Sequence, residues 1–247
     1  MARVTKDADV RRDELLDVAL GLCMTVGFES ASVEQITTAA GVAKGTFYHY
    51  FASKQELLLQ LVDRFGEDLF SYLEAAMKDV DGDAVERLLA LTGLSAAWKV
   101  ERLPSTMTYV PFLYKEENLG LRTKLYSAWM ARTRPLLLEI VEQGARQGTF
   151  DVADPEATTD IVLSIWFDFG NRLWEERAMP AADDALSIDV LMRGVSAMWT
   201  AQERILGAPQ GSLHVDIDPR ALEGTRELFR DRVNGTDQVV DRDRGHK

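Results

Sequence analysis

The chain of 247 residues is predicted to be all-α, with an N-terminal three-helix domain followed by a C-terminal helical bundle. Apolar residues recur three and four positions apart along most of its length, the repeat of one helix face. No valine-rich run alternates apolar with polar residues as a half-buried strand would. Glycines and prolines interrupt the periodic segments at helix-length intervals, where a helix has to end or turn.

The first helix is expected from about Arg11 to Val26. Leu15, Leu16, Val18, Ala19, Leu22, Cys23 and Val26 form its apolar stripe, and Gly27 ends it. A short second helix follows from Ser32 to Ala40, opened by a hydroxyl residue able to cap backbone donors and carrying Val33, Ile36 and Ala40 on one face. Gly41 then sits where the chain must turn through a left-handed conformation, which a residue with a Cβ adopts at a cost. A third helix is expected from Ala43 to Phe51, with Phe47 and Phe51 four apart and so on the same inward face.

At 100° per residue, Gly45, Thr46 and His49 lie roughly opposite those two rings, and Lys44 and Tyr48 share a flank. Such an outward surface suits a DNA duplex. A lysine reaches guanine acceptors or phosphate, a glycine admits close backbone approach, and Thr, Tyr and His hydrogen-bond phosphate oxygens or touch a thymine methyl. Lys54, just after the Ser53 cap of the next helix, is placed to hold a neighbouring phosphate. Taken singly, each of these residues better suits an ordinary helical corner.

Together they resemble the DNA-binding domain of the TetR/AcrR-type transcriptional regulators. The resemblance rests on Ser32-Val33, Ile36 and Ala40-Gly41-Val42, then Lys44-Gly45-Thr46-Phe47-Tyr48-His49-Tyr50-Phe51 and Ser53-Lys54-Gln55-Glu56-Leu57. Thr37, Ala43, Cys23 and Gln55 depart from the usual pattern, and Ala43 removes one expected phosphate hydrogen bond. The resemblance implies a DNA-binding domain over residues 8–68, with its helix-turn-helix at about 32–51. It implies DNA contacts from Ser32, Thr37, Ala43, Lys44, Gly45, Thr46, Tyr48, His49 and Lys54. It also implies a ligand-binding and dimerisation domain over 69–206, and a two-fold dimer that reads a near-palindromic operator of double-stranded DNA.

Charge argues the other way. The chain carries a formal net charge of −12, and its first 60 residues hold six Lys or Arg against eight Asp or Glu. Phosphate attraction depends on the field within about one Debye length, so acids on a far face subtract less than contacting bases add. Weak nonspecific binding with strong salt sensitivity is the expectation. The lone Cys23 forms no internal disulfide and is expected to be a buried, inert thiol. His49, His214 and His246 lie too far apart for metal-ligand spacing, so neither a metal nor a cofactor is expected. With no hydrophobic signal core at its start and no apolar stretch long enough to span a bilayer, the protein is expected to be soluble and cytoplasmic, with no membrane partner.

Further helices are expected from about residue 54 to Lys78, from Asp83 to Lys99, and from Leu119 to Gln147, where Pro135 should bend or split the helix. Another runs from the Asp154-Pro155 start to about Ala178, and a last long one from Asp183 or Ser187 to Leu206. The last two carry apolar residues on more than one face and so need partners on several sides. Ile161, Ile165, Leu191, Val195, Met198 and Trp199 are the candidate dimer seam, in line with the pairing that the resemblance implies. Trp98, Tyr109, Phe112, Tyr126, Trp129, Trp166, Phe169 and Asn171 are candidates for a site taking a small apolar or aromatic effector, although plain core packing suits each aromatic better and Asn171 equally suits solvent or the dimer seam. Residues 207–247 form an extension with a short helix at about 219–233 and a charged, aperiodic tail expected to be disordered.

Two other classes compete with the regulator. An enzyme lacks support, since no catalytic triad, paired carboxylates, phosphate-cradling glycine loop or metal cluster emerges. A helical dimer that kept the motif's packing without DNA binding would serve as a protein adaptor.

Overall fold

The structure is a computed structural model and describes residues 8–28, 30–102, 105, 113–114, 116–172 and 188–214. Among these there are eight α-helices and no strand: α1 Ala8–Val26, α2 Val33–Ala39, α3 Lys44–Tyr50, α4 Lys54–Ala76, α5 Ala84–Glu101, α6 Leu119–Gln147, α7 Pro155–Arg172 and α8 Ile188–Leu206. Short 3₁₀ turns follow α4 and precede α6. The chain divides into two compact units, the first running through Asp68 and the second beginning at Leu69 within α4.

In the first unit, α1 packs on α2 and α2 on α3. Leu15, Leu16, Ala19 and Cys23 from α1 are buried, as are Ile36, Phe47, Phe51 and, from α4, Leu57, Leu58 and Leu61. The stripe read along α1 is therefore the stripe that is covered. Burial pushes the Cys23 thiol up to about 11, against a weaker opposing pull from the charge of Lys54, so it stays protonated and inert at neutral pH.

In the second unit α6 packs against α5 and α7, and α7 against α8. α5 begins with a reciprocal cap in which Asp83 accepts from the Glu86 amide at 2.9 Å and Glu86 accepts from the Asp83 amide at 2.9 Å. Pro135 neither ends nor splits α6, which continues through it. The proline is exposed, so the carbonyl that loses its helical donor can turn to water. Gly148, at φ +71°, reverses the chain after α6, and the carbonyl of Gly144 accepts from both Thr149 at 3.0 Å and Phe150 at 3.1 Å. Gly144 has no room for a side chain, because a Cβ there would fall inside the Phe150 ring.

Asp154 caps α7 by accepting from the Ala157 amide at 3.0 Å, with Pro155 as the first helical residue. The expected extension of α7 to Ala178, the early start of α8 at Asp183, the helix at 219–233 and the tail lie outside the described residues.

Candidate DNA interface

The Ser32 hydroxyl accepts from the Gln35 amide at 3.1 Å while the Gln35 side chain accepts from the Ser32 amide at 2.8 Å, and this pair of bonds starts α2. Ile36 is buried beneath the helix. At the corner Gly41 takes φ +64°, and the Val42 amide closes the turn by donating to the Thr37 carbonyl at 2.9 Å. No atom stands within 4 Å of where a Gly41 Cβ would be, so its conformation rather than crowding calls for glycine there.

α3 is anchored from below. Phe47 and Phe51 are 0% and 1% exposed, with ring centroids 5.3 Å apart. Lys44, Gly45, Tyr48 and His49 are exposed, Tyr48 to 50%, and Thr46 is half-buried. The Tyr48 ring rests edge-on against Phe47 at 5.3 Å, and His49 stands edge-on to Tyr50 at 4.9 Å, so both outward rings are braced. Ala43, the residue before the helix, is exposed and offers no side-chain acceptor to the first turn of α3. A Cβ on Gly45 would meet nothing within 4 Å, so no packing inside the molecule requires a glycine there.

Two expected contacts take another place. Thr37 is only 4% exposed, and its hydroxyl donates to the Glu34 carbonyl at 3.0 Å. It sits on the inner side of α2, where it meets the core rather than a duplex. The Lys54 ammonium donates to the carbonyls of Phe28 at 3.0 Å and Ala31 at 3.1 Å and lies 4.6 Å from the centre of the Phe28 ring. It clamps the segment between α1 and α2 to the start of α4 instead of reaching outward. Peptide carbonyls and an aromatic face satisfy an ammonium much as a phosphate would, and these lie closer to hand.

Glu14 pairs with Arg11 at 3.0 Å and Asp17 with Arg64 at 2.9 Å.

Residues 15–61 match the family described as bacterial regulatory proteins, tetR family. Over these residues the chain is similar to TetR-type regulators. The HTH-type transcriptional repressor KstR2 of Rhodococcus jostii is 29% identical over 141 residues, covering 57% of this chain and 68% of that protein. KstR2 of Mycobacterium tuberculosis is 28% identical over 166 residues, covering 66% and 78%. A TetR-family transcriptional regulator from Pectobacterium atrosepticum has a solved structure of the same fold, with TM-score 0.62 at 19% identity over 84% of this chain and 100% of that one. No described helix is long and apolar enough to cross a membrane.

In the second unit the aromatic candidates separate. Trp98 is 4% exposed and covered by the Arg102 guanidinium, 4.3 Å from its ring. Tyr126 and Trp129 of α6 meet edge-on at 5.7 Å, and Tyr126 also packs on Phe167 of α7 at 5.6 Å. The Tyr126 hydroxyl is hydrogen-bonded to that of Tyr114, which donates to the Asn171 side-chain oxygen at 3.3 Å. Arg122, a buried cation, lies 4.6 Å over the Tyr114 ring. Trp166 and Phe169 are half-buried, and Tyr109 and Phe112 lie outside the described residues. Tyr114, Arg122 and Phe167 were absent from the expected set. Tyr114 and Asn171 stand 57 positions apart, and no local pattern announces such a pair.

The candidate dimer seam also divides. Ile161 is 51% exposed, and it shares an open groove of about 500 Å³ with Asp160, Ser164, Ile165 and Asp168. Val195 and Met198 are half-buried. Trp199 is 8% exposed and belongs to the subunit's own core, which removes it from the seam. The Leu191 side chain lies outside the described residues. A larger cavity of about 550 Å³ lies where α4, α5 and α6 meet, lined by Glu74, Met77, Val80, Arg87 and Glu139 among others. Arg87 crosses it to Glu139 at 2.9 Å and Gln143 at 2.5 Å, and no pattern in the sequence pointed to it.

Proposed function

We propose that the protein is a homodimeric repressor that holds a near-palindromic operator through α3 and releases it when a small apolar or aromatic effector binds the second unit. The observation that carries the DNA half is the division of α3 into two faces. Buried Phe47 and Phe51 fix the helix from within, while Lys44, Gly45, Tyr48 and His49 face outward, braced and unused by the fold. On this reading Lys44 takes a base edge or phosphate, Thr46, Tyr48 and His49 hydrogen-bond phosphates or touch methyl groups, and Ser32 turns its hydroxyl proton to the backbone. Ala43 and Gly45 let the duplex come close.

A two-fold pair sets two such helices about 34 Å apart, one duplex turn, which demands the palindrome. Exposed Ile161 and half-buried Ile165 on α7, with Val195 and Met198 on α8, support pairing through these helices. An effector that binds better to the form with the helices mis-spaced shifts the population and frees the DNA by its differential affinity. The repressor sign is supported by the KstR2 relatives, which are repressors.

Fluorescence anisotropy with fragments selected from the source genome tests the proposal, alongside light scattering of the free protein. A dimer that binds one selected palindrome, and loses it in Lys44→Ala and Tyr48→Ala, supports it. A folded protein with no duplex preference would sink it.

A further inference from the structure

Where α4, α5 and α6 meet, the cavity of about 550 Å³ has an arginine fixed in its wall. The Arg87 side chain is only 15% exposed; its Nη1 donates to the Gln143 side-chain oxygen at 2.5 Å and its Nη2 to Glu139 Oε1 at 2.9 Å. Glu139, by contrast, is 61% exposed. Its Oε1 marks a place in the cavity lining where a carboxylate oxygen already sits on the guanidinium. Nη2 and Nε form one edge that takes a carboxylate through two parallel bonds, and Glu139 fills half of it, since Nε has no partner among the described residues. The corner holds without Glu139, because Gln143 Nε2 donates to the Gly82 carbonyl at 2.9 Å and the Ala84 amide to Gln147 Oε1 at 3.2 Å.

We propose that this cavity binds a small organic carboxylate with an apolar body, its head taking the place of Glu139 on Arg87. The site goes beyond the effector reading, which draws on the aromatic face of α6 and α7, and it does not depend on that reading. Glu139 turns to water on leaving, and an ion pair with so exposed a partner holds it weakly. A cavity of this volume suits a small molecule, and Met77, Val80 and Leu136 supply the apolar part of its lining. Lys78 adds a second cation, while the charge of Glu74 is offset by Arg132, whose Nε and Nη2 donate to Glu74 Oε1 at 3.1 and 2.8 Å. Exposed Asp81 and the displaced Glu139 oppose an anion, which sets the sign of two substitutions.

The test uses the full chain and three probes of one shape, 4-phenylbutyrate, 4-phenylbutyramide and 4-phenylbutylamine, with binding measured by calorimetry. The wild type is expected to prefer the acid over the amide by roughly tenfold and to bind the amine least. Glu139→Ala, a change at an exposed side chain, should tighten the acid by roughly threefold and leave the amide unchanged. Asp81→Asn should act in the same direction, and Arg87→Gln should abolish the preference. An arginine that only ties α5 to α6 predicts no gain in acid binding from Glu139→Ala. Should Arg87→Gln fail to fold, the Glu139→Ala and Asp81→Asn titrations decide alone. No binding by any probe, equal binding of acid and amide, a preference kept in Arg87→Gln, or no gain in Glu139→Ala would overturn the site. The effector reading is judged separately, by DNA release in anisotropy, so either can fail without the other.

Discussion

The corner around α3 and the aromatic face shared by α6 and α7 assign function to side chains in opposite ways. Around α3 the outward residues fall within six positions, Lys44 to His49, and two phenylalanines of the same segment hold them up. Between α6 and α7 the cluster draws Tyr114, Tyr126 and Asn171 from distant parts of the chain, and each contact depends on how helices pack. The first surface stands or falls with one helix. The second is altered by any change in the bundle, which is what the proposed effector site would need if binding is to shift a population.

The largest expected effect comes from the prop under the first surface. Phe47→Ala removes a fully buried ring and should cost about 3–5 kcal/mol, seen as a lowered melting temperature by circular dichroism together with loss of DNA binding. A near-wild-type melt would mean that α3 is held by something other than its phenylalanines. In the second unit, Gly144→Ala drives a methyl group into the Phe150 ring and should cost about 1–3 kcal/mol in denaturant titrations. Because that damage lies in the bundle, the salt dependence of DNA binding should keep its slope.

Two lysines sharpen the contrast within the first unit. Lys44→Ala should weaken operator binding by about 1–3 kcal/mol and reduce the slope of log K against log salt by about one if it contacts phosphate. Lys54→Met should also lower affinity, but with the slope unchanged, because its ammonium is bound to the Phe28 and Ala31 carbonyls. A slope change in the Lys54 variant would return that residue to the DNA surface. The smallest expected effect has opposite signs in two measurements. Gly45→Ala should stabilise the fold by up to about 1 kcal/mol, since the methyl group meets nothing, yet weaken operator binding by blocking close approach. An alanine variant with unimpaired DNA affinity would show that the duplex does not approach there.

The helices were legible because each carries its own periodicity and caps, as the Ser32–Gln35 and Asp154–Ala157 bonds show. The turn at Gly41 was legible because one residue's backbone preference decides it. Thr37, Lys54 and Trp199 were misplaced for a common reason. Amino-acid type says what a side chain can bond to, but several partners are compatible with one type, and the nearest in space wins.

By itself, the sequence determined an all-α chain, the helix-turn-helix corner and the outward set from Lys44 to His49, since interactions within about four residues settle helix, cap and face. Tertiary structure alone decided that Lys54 ties down the segment before α2, that Trp199 lies in the core and that the Trp166 indole has no acceptor among the described residues. Those outcomes depend on which surfaces meet when helices pack, and on whether a buried polar atom then finds a partner.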